Sequence, residues 1–275
     1  MENRSKPTDK AALVSDLRNL GIAEGDLLMV HASLKAIGPV DGGPQTVLDA
    51  LLEAIGPTGT LLAFVSWDHS PYDETLNGRT LSPKERAEWP AFDPQAAGPY
   101  PGFGALNGFI AKHPGAHRSL HPDASMAAIG QLAPMLVAGH ELGCAFGVGS
   151  PLERFVAAAG RVLLLGAPLD AVTVLHYAEA VARIPGKRRV RYEMPVRAAD
   201  GSKVWIAAED FDSNGILDCY TVPGQPDAVE QIARSYVSDK RHRFGSVGQA
   251  DCHLFAASDL VRYGIAWLES RHGRI

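Results

Sequence analysis

The first 70 residues alternate between two hydrophobic periodicities, and that alternation constrains the fold more than any other feature of the chain. Leu13, Val14, Leu17 and Leu20 recur at helical spacing, with Gly21 placed to end the helix. Residues 26–31 (Asp-Leu-Leu-Met-Val-His) then predict a strand leading into Ala32-Ser33-Leu34-Lys35. Gly42-Gly43-Pro44 opens a second helix whose apolar side holds Val47, Leu48, Leu51, Leu52 and Ile55, and Gly56 closes it. Residues 60–65 form the next strand. Helix, strand, helix, strand is the order of a layered α/β fold.

The pattern returns at the middle of the chain. Val162-Leu163-Leu164-Leu165 reads as a buried strand ending at Gly166. Asp170 is placed to cap a helix carrying Val174, Leu175 and Ala178, and that helix should stop near Ile184, because Pro185 pushes its predecessor out of helical conformation. Thr173, His176 and Glu179 follow at steps of three, so neighbours in the set share one side of the helix. A hydroxyl, an imidazole and a carboxylate are thereby delivered at the end of a strand, where open α/β sheets place their sites. Taken alone, a His–Glu pair one turn apart is more often a surface pair or a satisfied histidine than a catalytic one.

Residues 68–102 interrupt the rhythm with six prolines and the aromatics Tyr72, Trp89, Phe92 and Tyr100. Such an insertion is either a functional lid or a structural wrap over a sheet edge. Beyond it the sequence predicts a helix over 105–112 and a strand over 126–130. Ser150-Pro151-Leu152-Glu153 is a capping box that starts a helix running to Ala159. Strands over 190–196 and 204–208 flank the turn Asp200-Gly201, and an acidic patch follows at 209–215. Helices start at Asp227 and at Ser258. No repeat and no linker is visible, so residues 1–275 read as a single domain with the insertion at 68–102.

Composition removes several function classes. A net charge of -5 argues against nucleic acid as a partner, because phosphate binding needs a basic face. Cys144, Cys219 and Cys252 are too few and too scattered for a disulfide framework or a zinc site, and the histidines show no metal-ligand spacing. No metal is expected. The segment 1–7 is polar and lacks the apolar core of a signal peptide, and no apolar run approaches a membrane span. These features predict a cytoplasmic-type protein with no membrane association. Phosphate-loop, nucleophile-elbow, zincin and dinucleotide-binding fingerprints are all missing.

Four ordered segments carry a family resemblance. They are His31-Ala-Ser33-Leu34-Lys35-Ala-Ile-Gly38, Arg118-Ser119-Leu120-His121-Pro122-Asp123-Ala-Ser125, Ser150-Pro151-Leu152, and the stretch from Leu163-Leu-Leu-Gly to Leu175-His176-x-x-Glu179. Together they resemble the aminoglycoside 3-N-acetyltransferases, over residues 10–270, with Ala32 where serine is commoner. Phe64-Val65-Ser66-Trp67 and 212–218 (Asp-Ser-Asn-Gly-Ile-Leu-Asp) resemble the gentamicin-acetylating branch. The resemblance implies a three-layer α/β/α sandwich of the antibiotic N-acetyltransferase type, not the GCN5-related fold. It also implies acetyl-CoA as cosubstrate and acetyl transfer to the 3-amine of a 2-deoxystreptamine aminoglycoside, hence antibiotic resistance.

Roles follow for individual residues. An amine must be neutral to attack a thioester, so a base is useful, and an imidazole titrating near ~6.5 suits the task. His176 is that residue. Its orienting carboxylate is Glu179, or else Asp210 or Asp212 from the acidic loop. Thr173 or backbone N–H groups would meet the developing oxyanion. His31, Ser33, Leu34, Lys35, Ser119 and Ser125 lie in the segments that resemble the family's cofactor side. A polycationic acceptor needs carboxylates and aromatic walls. Asp68, Tyr72, Glu74, Asp123, Asp210 and Asp212 are candidates, with Trp67 as a wall. The alternatives are another small amine as acceptor, or a non-catalytic protein that binds a cationic ligand. Monomer and homodimer both remain open.

Overall fold

The structure is a computed structural model that describes residues 7–273. Most of the polar N-terminal segment considered above, residues 1–6, lies outside the described residues. Nine strands occur among the described residues: β1 (Leu27–Ala32), β2 (Thr60–Phe64), β3 (Ala116–Arg118), β4 (Met126–Gly130), β5 (Arg161–Leu165), β6 (Arg189–Arg197), β7 (Lys203–Phe211), β8 (Arg243–Val247) and β9 (Ala250–Ala256). Seven of them form one mixed sheet in the order β3-β4-β2-β1-β5-β9-β8, and β6 and β7 form a separate antiparallel hairpin.

Both faces of the large sheet are apolar, which is why its central strands read as continuous hydrophobic runs. In β1, Leu28 and Val30 enter one core, and Leu27 and Met29 enter the other. In β5, Leu163 and Leu165 divide from Val162 and Leu164 in the same way. The helices Lys10–Leu20 and Gly43–Ile55 cover the first face. Pro151–Ala157, Val174–Val181, Ala228–Ser238 and Ala257–His272 cover the second. The result is the three-layer α/β/α arrangement. Each fully buried Leu or Val contributes about 1.5–3 kcal/mol, and side chains alternate with period two. A one-residue slip of β1 would therefore send His31 to the wrong layer.

β1 pairs in parallel with β2 on one side and with β5 on the other. The connection from β1 to β2 crosses one face through Gly43–Ile55, whereas the connection into β5 crosses the other through Pro151–Ala157. The chain thus departs in opposite directions from the carboxyl ends of β1 and β5. That divergence opens a crevice beside His31 and Gly166.

Several sequence expectations need correction. Asp170 does not cap the central helix. It lies in a single 3₁₀ turn, Leu169–Ala171, and Val172 (ψ 72°) breaks away before the helix starts at Val174 with Thr173 as N-cap residue. That helix ends at Val181 rather than near Ile184, because Ala182 turns extended (ψ 138°) and the Glu269 carboxylate accepts the Arg183 N–H at 2.7 Å. Ser150 does cap Pro151–Ala157, but Glu153 returns its carboxylate to the Gly149 N–H (2.8 Å), so the box is only half closed and the helix is two residues shorter than expected. The last helix starts at Ala257 without a side-chain cap. The β8–β9 hairpin, which the sequence reading passed over, supplies the neighbour of β5. Its turn uses Gly248 (φ +58°), where a Cβ would stand 2.8 Å from the Ile37 carbonyl oxygen.

The insertion at 68–102 contains the short helices Tyr72–Thr75 and Pro83–Glu88 and is tied to the β6–β7 hairpin. Phe92 N–H donates to the Pro195 carbonyl (2.8 Å), and Lys203 Nζ donates to the carbonyls of Arg86, Ala87 and Trp89 (2.8, 2.6 and 2.7 Å). Arg86 also pairs with Glu193. The insertion walls one side of the crevice, and the hairpin braces it from behind.

Candidate active site

Two cavities meet at His176. The larger, about 950 Å³, runs along the carboxyl ends of β1, β2 and β5, and the smaller, about 400 Å³, lies between Gly143–Val148, the end of the central helix and residues 210–213. His176, Phe146 and Ser213 belong to both. The His176 side chain keeps 18% of its surface exposed, while its partner Glu179 keeps 4%.

Helical spacing brings the pair together, as the i, i+3 pattern predicts: His176 Nδ1 and Glu179 Oε2 are 2.7 Å apart. A carboxylate on Nδ1 fixes the proton there and leaves Nε2 as the free acceptor. Burial works against a charged imidazole, but the hydrogen bond and the charge of Glu179 outweigh it and raise the His176 pKa above its ordinary value. Burial likewise raises Glu179, against the pull of His176. The two titrate as a unit. The Phe146 ring covers His176 with centroids 5.0 Å apart. Asp210 and Asp212, the alternative orienting carboxylates, are both spoken for elsewhere.

Asp210 belongs to a buried chain of polar groups. Tyr192 OH and the Ala145 N–H donate to its carboxylate, and His121 Nε2 stands 3.1 Å from that hydroxyl. Burial favours the neutral acid, yet these donors hold the Asp210 pKa below the usual carboxylate value. The Ala145 carbonyl accepts from His140 Nε2 (3.0 Å), and His140 Nδ1 faces Ser119 Oγ at 2.9 Å. Asp212 is paired with Arg188 (3.1 Å). Both aspartates line the smaller cavity, apart from the other substrate candidates.

The larger cavity gathers His31, Ser33, Leu34 and Lys35 on one wall and Trp67, Asp68, Tyr72 and Asp123 on another, with Thr173 beside His176. Ser33 also caps the turn Leu34–Ile37, accepting the Ala36 N–H at 3.4 Å. Asp123 accepts a 2.6 Å bond from Ser70, and burial raises its pKa. Burial and nearby aspartates raise the Tyr72 phenol. Three candidates lie elsewhere. Ser119 and Ser125 are fully buried: Ser119 accepts the Met126 N–H and bonds His140, and Ser125 accepts from Arg118 and reaches the Pro122 carbonyl. Their hydroxyls are consumed in holding the 118–126 turn, and they line neither cavity. Glu74 points outward and lines neither.

Sequence reasoning missed Asp73, Phe146 and Asn214 as lining residues and misread Asp170, which caps no helix and lines the larger cavity. Asp73 sat inside the segment already read as an insertion. Phe146 lies between Gly143 and Gly149 in a stretch with no periodicity to mark it. Among the described residues, no group of three or more His, Cys, Asp or Glu is placed to hold a metal ion. No helix among them is long and apolar enough to cross a membrane.

Two imidazoles, the buried His140 and the half-buried His31, make the fold acid-sensitive. Burial, with a smaller contribution from His176, depresses His31 to about 4, and burial with His121 depresses His140 to about 3. The unfolded chain binds these protons near ~6.5 and the folded chain refuses them. Their contribution is complete above pH ~6.5 and is lost as pH falls toward the folded values. Urea unfolding between pH 6.5 and 5 should show stability dropping by about 1.4 kcal/mol per pH unit for each histidine. A level profile would contradict the neutral assignment.

The profile of the aminoglycoside 3-N-acetyltransferase family matches residues 29–269 of this chain. Aminoglycoside N(3)-acetyltransferase III of Salmonella sp. is 58% identical over 264 residues, covering 96% of this chain and 92% of that protein. This chain belongs to the aminoglycoside 3-N-acetyltransferase family. It is an acyltransferase of that kind. The neutron/X-ray structure of sisomicin-bound AAC-VIa superposes with a TM-score of 0.95 at 56% identity, covering 97% of this chain and all of that one. AAC-IIIb in binary complex with CoASH superposes with a TM-score of 0.92 at 36% identity, covering 98% and 99% of the two chains. Likeness over nearly the whole length places the three layers with this acetyltransferase architecture and not with the GCN5-related fold.

Proposed function

We propose that this aminoglycoside 3-N-acetyltransferase moves the acetyl group of acetyl-CoA to the 3-amine of a gentamicin-like 2-deoxystreptamine aminoglycoside, in the cytoplasm, and so confers resistance. The observation that carries the reading is the His176–Glu179 pair standing over a cavity that has carboxylates on one wall and, on another, the lysine-bearing turn Leu34–Ile37 that follows β1. Asp68, Asp73, Asp123 and Asp170 suit the ammonium groups of the acceptor, with Trp67 and Tyr72 as walls. His31, Ser33, Leu34 and Lys35 form the wall for the acetyl donor, where Lys35 supplies charge for phosphate and Leu34 an apolar surface. Asp210 and Asp212, already satisfied internally, shape the smaller cavity.

His176 Nε2 takes a proton from the amine as nitrogen attacks the thioester carbonyl carbon. The carbonyl oxygen gains charge that Thr173 Oγ or neighbouring backbone N–H groups stabilise. The C–S bond then breaks, the amide is complete, and the proton on His176 passes to the departing thiolate. Glu179 holds the imidazolium in place throughout.

Thiol release from acetyl-CoA is the test, run with gentamicin, with a simple monoamine and with neither. Release that needs gentamicin supports the reading. Release with the monoamine at equal efficiency points to another small amine as acceptor, and binding of both ligands without turnover points to a binding protein.

A further inference from the structure

The loop over 143–149 contains no helix or strand, yet buried side chains hold one of its residues by both backbone groups. The Ala145 N–H donates to Asp210 Oδ1 (3.1 Å), and the Ala145 carbonyl accepts from His140 Nε2 (3.0 Å). Asp210 and His140 are fixed in turn by Tyr192 and Ser119. This clamp sets the place of the next residue, Phe146. Its ring lies over His176 with centroids 5.0 Å apart and meets Phe64 edge-on at 5.6 Å. Phe146 lines both cavities, so it stands between the reaction centre and the smaller one of about 400 Å³.

The reaction scheme above gives that smaller cavity no occupant. Ala180, Val181, Phe211 and Ile216 make much of its lining apolar. Its three acids already have partners: Glu179 has His176, Asp210 has Tyr192 and Ala145, and Asp212 has Arg188. The space therefore suits an uncharged, apolar group. Around His176 the other directions are taken. The donor's arm follows the wall of His31, Ser33, Leu34 and Lys35, and the amine arrives from the side of Asp68, Tyr72 and Asp123. The carbonyl oxygen turns to Thr173 or to backbone N–H groups. The carbon end of the acyl group is left facing Phe146.

We propose that Phe146 is a specificity-determining residue that limits the transferred group to acetyl: its ring closes the way from His176 into the smaller cavity, which without it takes the tail of a longer acyl chain. The inference rests on acyl transfer at His176. Chain length leaves the chemistry unchanged. The amine nitrogen bonds the acyl carbon, the C–S bond breaks with its electron pair on sulfur, and the amine proton passes through His176 to that thiolate.

The test compares kcat/KM for butyryl-CoA and acetyl-CoA, with gentamicin as acceptor, in the wild type, Phe146→Ala, Phe146→Leu, and Phe146→Ala combined with Ala180→Leu, which refills the smaller cavity. A buried methylene is worth about fourfold. The butyryl-to-acetyl ratio should therefore rise about tenfold or more in Phe146→Ala, rise less in Phe146→Leu, and fall back in the double variant. Phe146→Leu carries the comparison if the alanine variant does not fold. Calorimetric binding of the two thioesters without aminoglycoside reads the same ratio without turnover.

A wall that merely supports His176 would slow both donors equally when truncated, and that result overturns the proposal. So does a wild type that uses both donors equally well. A ratio that rises but is not reversed by Ala180→Leu sends the chain elsewhere and overturns the assignment of the cavity. If the wild type releases no thiol from either donor, the functional reading falls, and the binding ratio still decides whether Phe146 closes the passage.

Discussion

His176→Ala is expected to lower kcat for acetyl transfer by about 10²–10⁴-fold, the usual contribution of a positioned general base. The argument is geometric first: the ring stands where both cavities meet, Nδ1 is committed to Glu179 at 2.7 Å, and Nε2 is left as the acceptor. The residual rate should also lose the wild-type pH dependence. With His176 as the proposed base, the rate needs its neutral form, and because the His176 pKa lies above the ordinary imidazole value the wild-type rate is expected to climb with pH through that limb. Glu179→Gln removes the charge that raises the imidazole. Its limb should move to lower pH, and its plateau should fall because the imidazolium formed during attack loses its counter-charge. Steady-state thiol release across pH 5.5–9 (roughly one limb on either side of the ordinary imidazole value) measures both variants. A His176→Ala enzyme within tenfold of wild type would end the base assignment.

Arg118→Leu is expected to cost about 3–5 kcal/mol of folding stability and to lower the thermal midpoint by about 10 °C. The half-buried guanidinium donates to the carbonyls of Ala97 and Ser66, reaches the Gly98 carbonyl at 3.4 Å, and bonds Ser125 Oγ from Nε (3.2 Å) and Nη2 (3.1 Å). Burial lowers its pKa only to about 10, so it stays charged at neutral pH. It joins the end of the insertion to the end of β2 and to the 118–126 turn. Removing it leaves carbonyl oxygens without a donor, each costing about 1–3 kcal/mol where water cannot replace it. The effect should extend to the site, because the Asp68 N–H bonds the Gly98 carbonyl (3.1 Å). KM for the acceptor should rise along with the loss of stability. Calorimetry decides the first part, and a midpoint within about 2 °C of wild type would refute it.

The legible part of the fold was the part governed by local rules. β1, β2 and β5 were readable because strands buried on both faces must be apolar at every position, and Leu27–Val30 and Val162–Leu165 are. β8 was not readable, because this edge strand exposes Arg243 and Ser246 and even its one aromatic, Phe244, so no apolar alternation marks a buried face. The central helix was correctly located but wrongly bounded at both ends. Its start depends on a break at Val172, and its end on a hydrogen bond from Arg183 to Glu269 some 86 residues away.

The site divides along the same line. By itself the sequence put His176 and Glu179 on one side of a helix, because the i, i+3 relation is fixed by helix geometry, and put that helix at the end of the strand over 162–165, but it left the orienting carboxylate open among Glu179, Asp210 and Asp212 until the 2.7 Å pair was seen. It also held the family resemblance in segments spread across the chain. Only the tertiary structure decided which hydroxyls and carboxylates remain free. Ser119, Ser125, Asp210 and Asp212 carry the right chemistry, but Met126, His140, Arg118, Tyr192, Ala145 and Arg188 consume it. Asp73 lacked any distinguishing pattern and Asp170 offered only a capping position that the helix does not use, yet both line the larger cavity. The physical reason is that availability of a polar group depends on its hydrogen-bond partners, and those partners arrive from distant segments that no local spacing encodes.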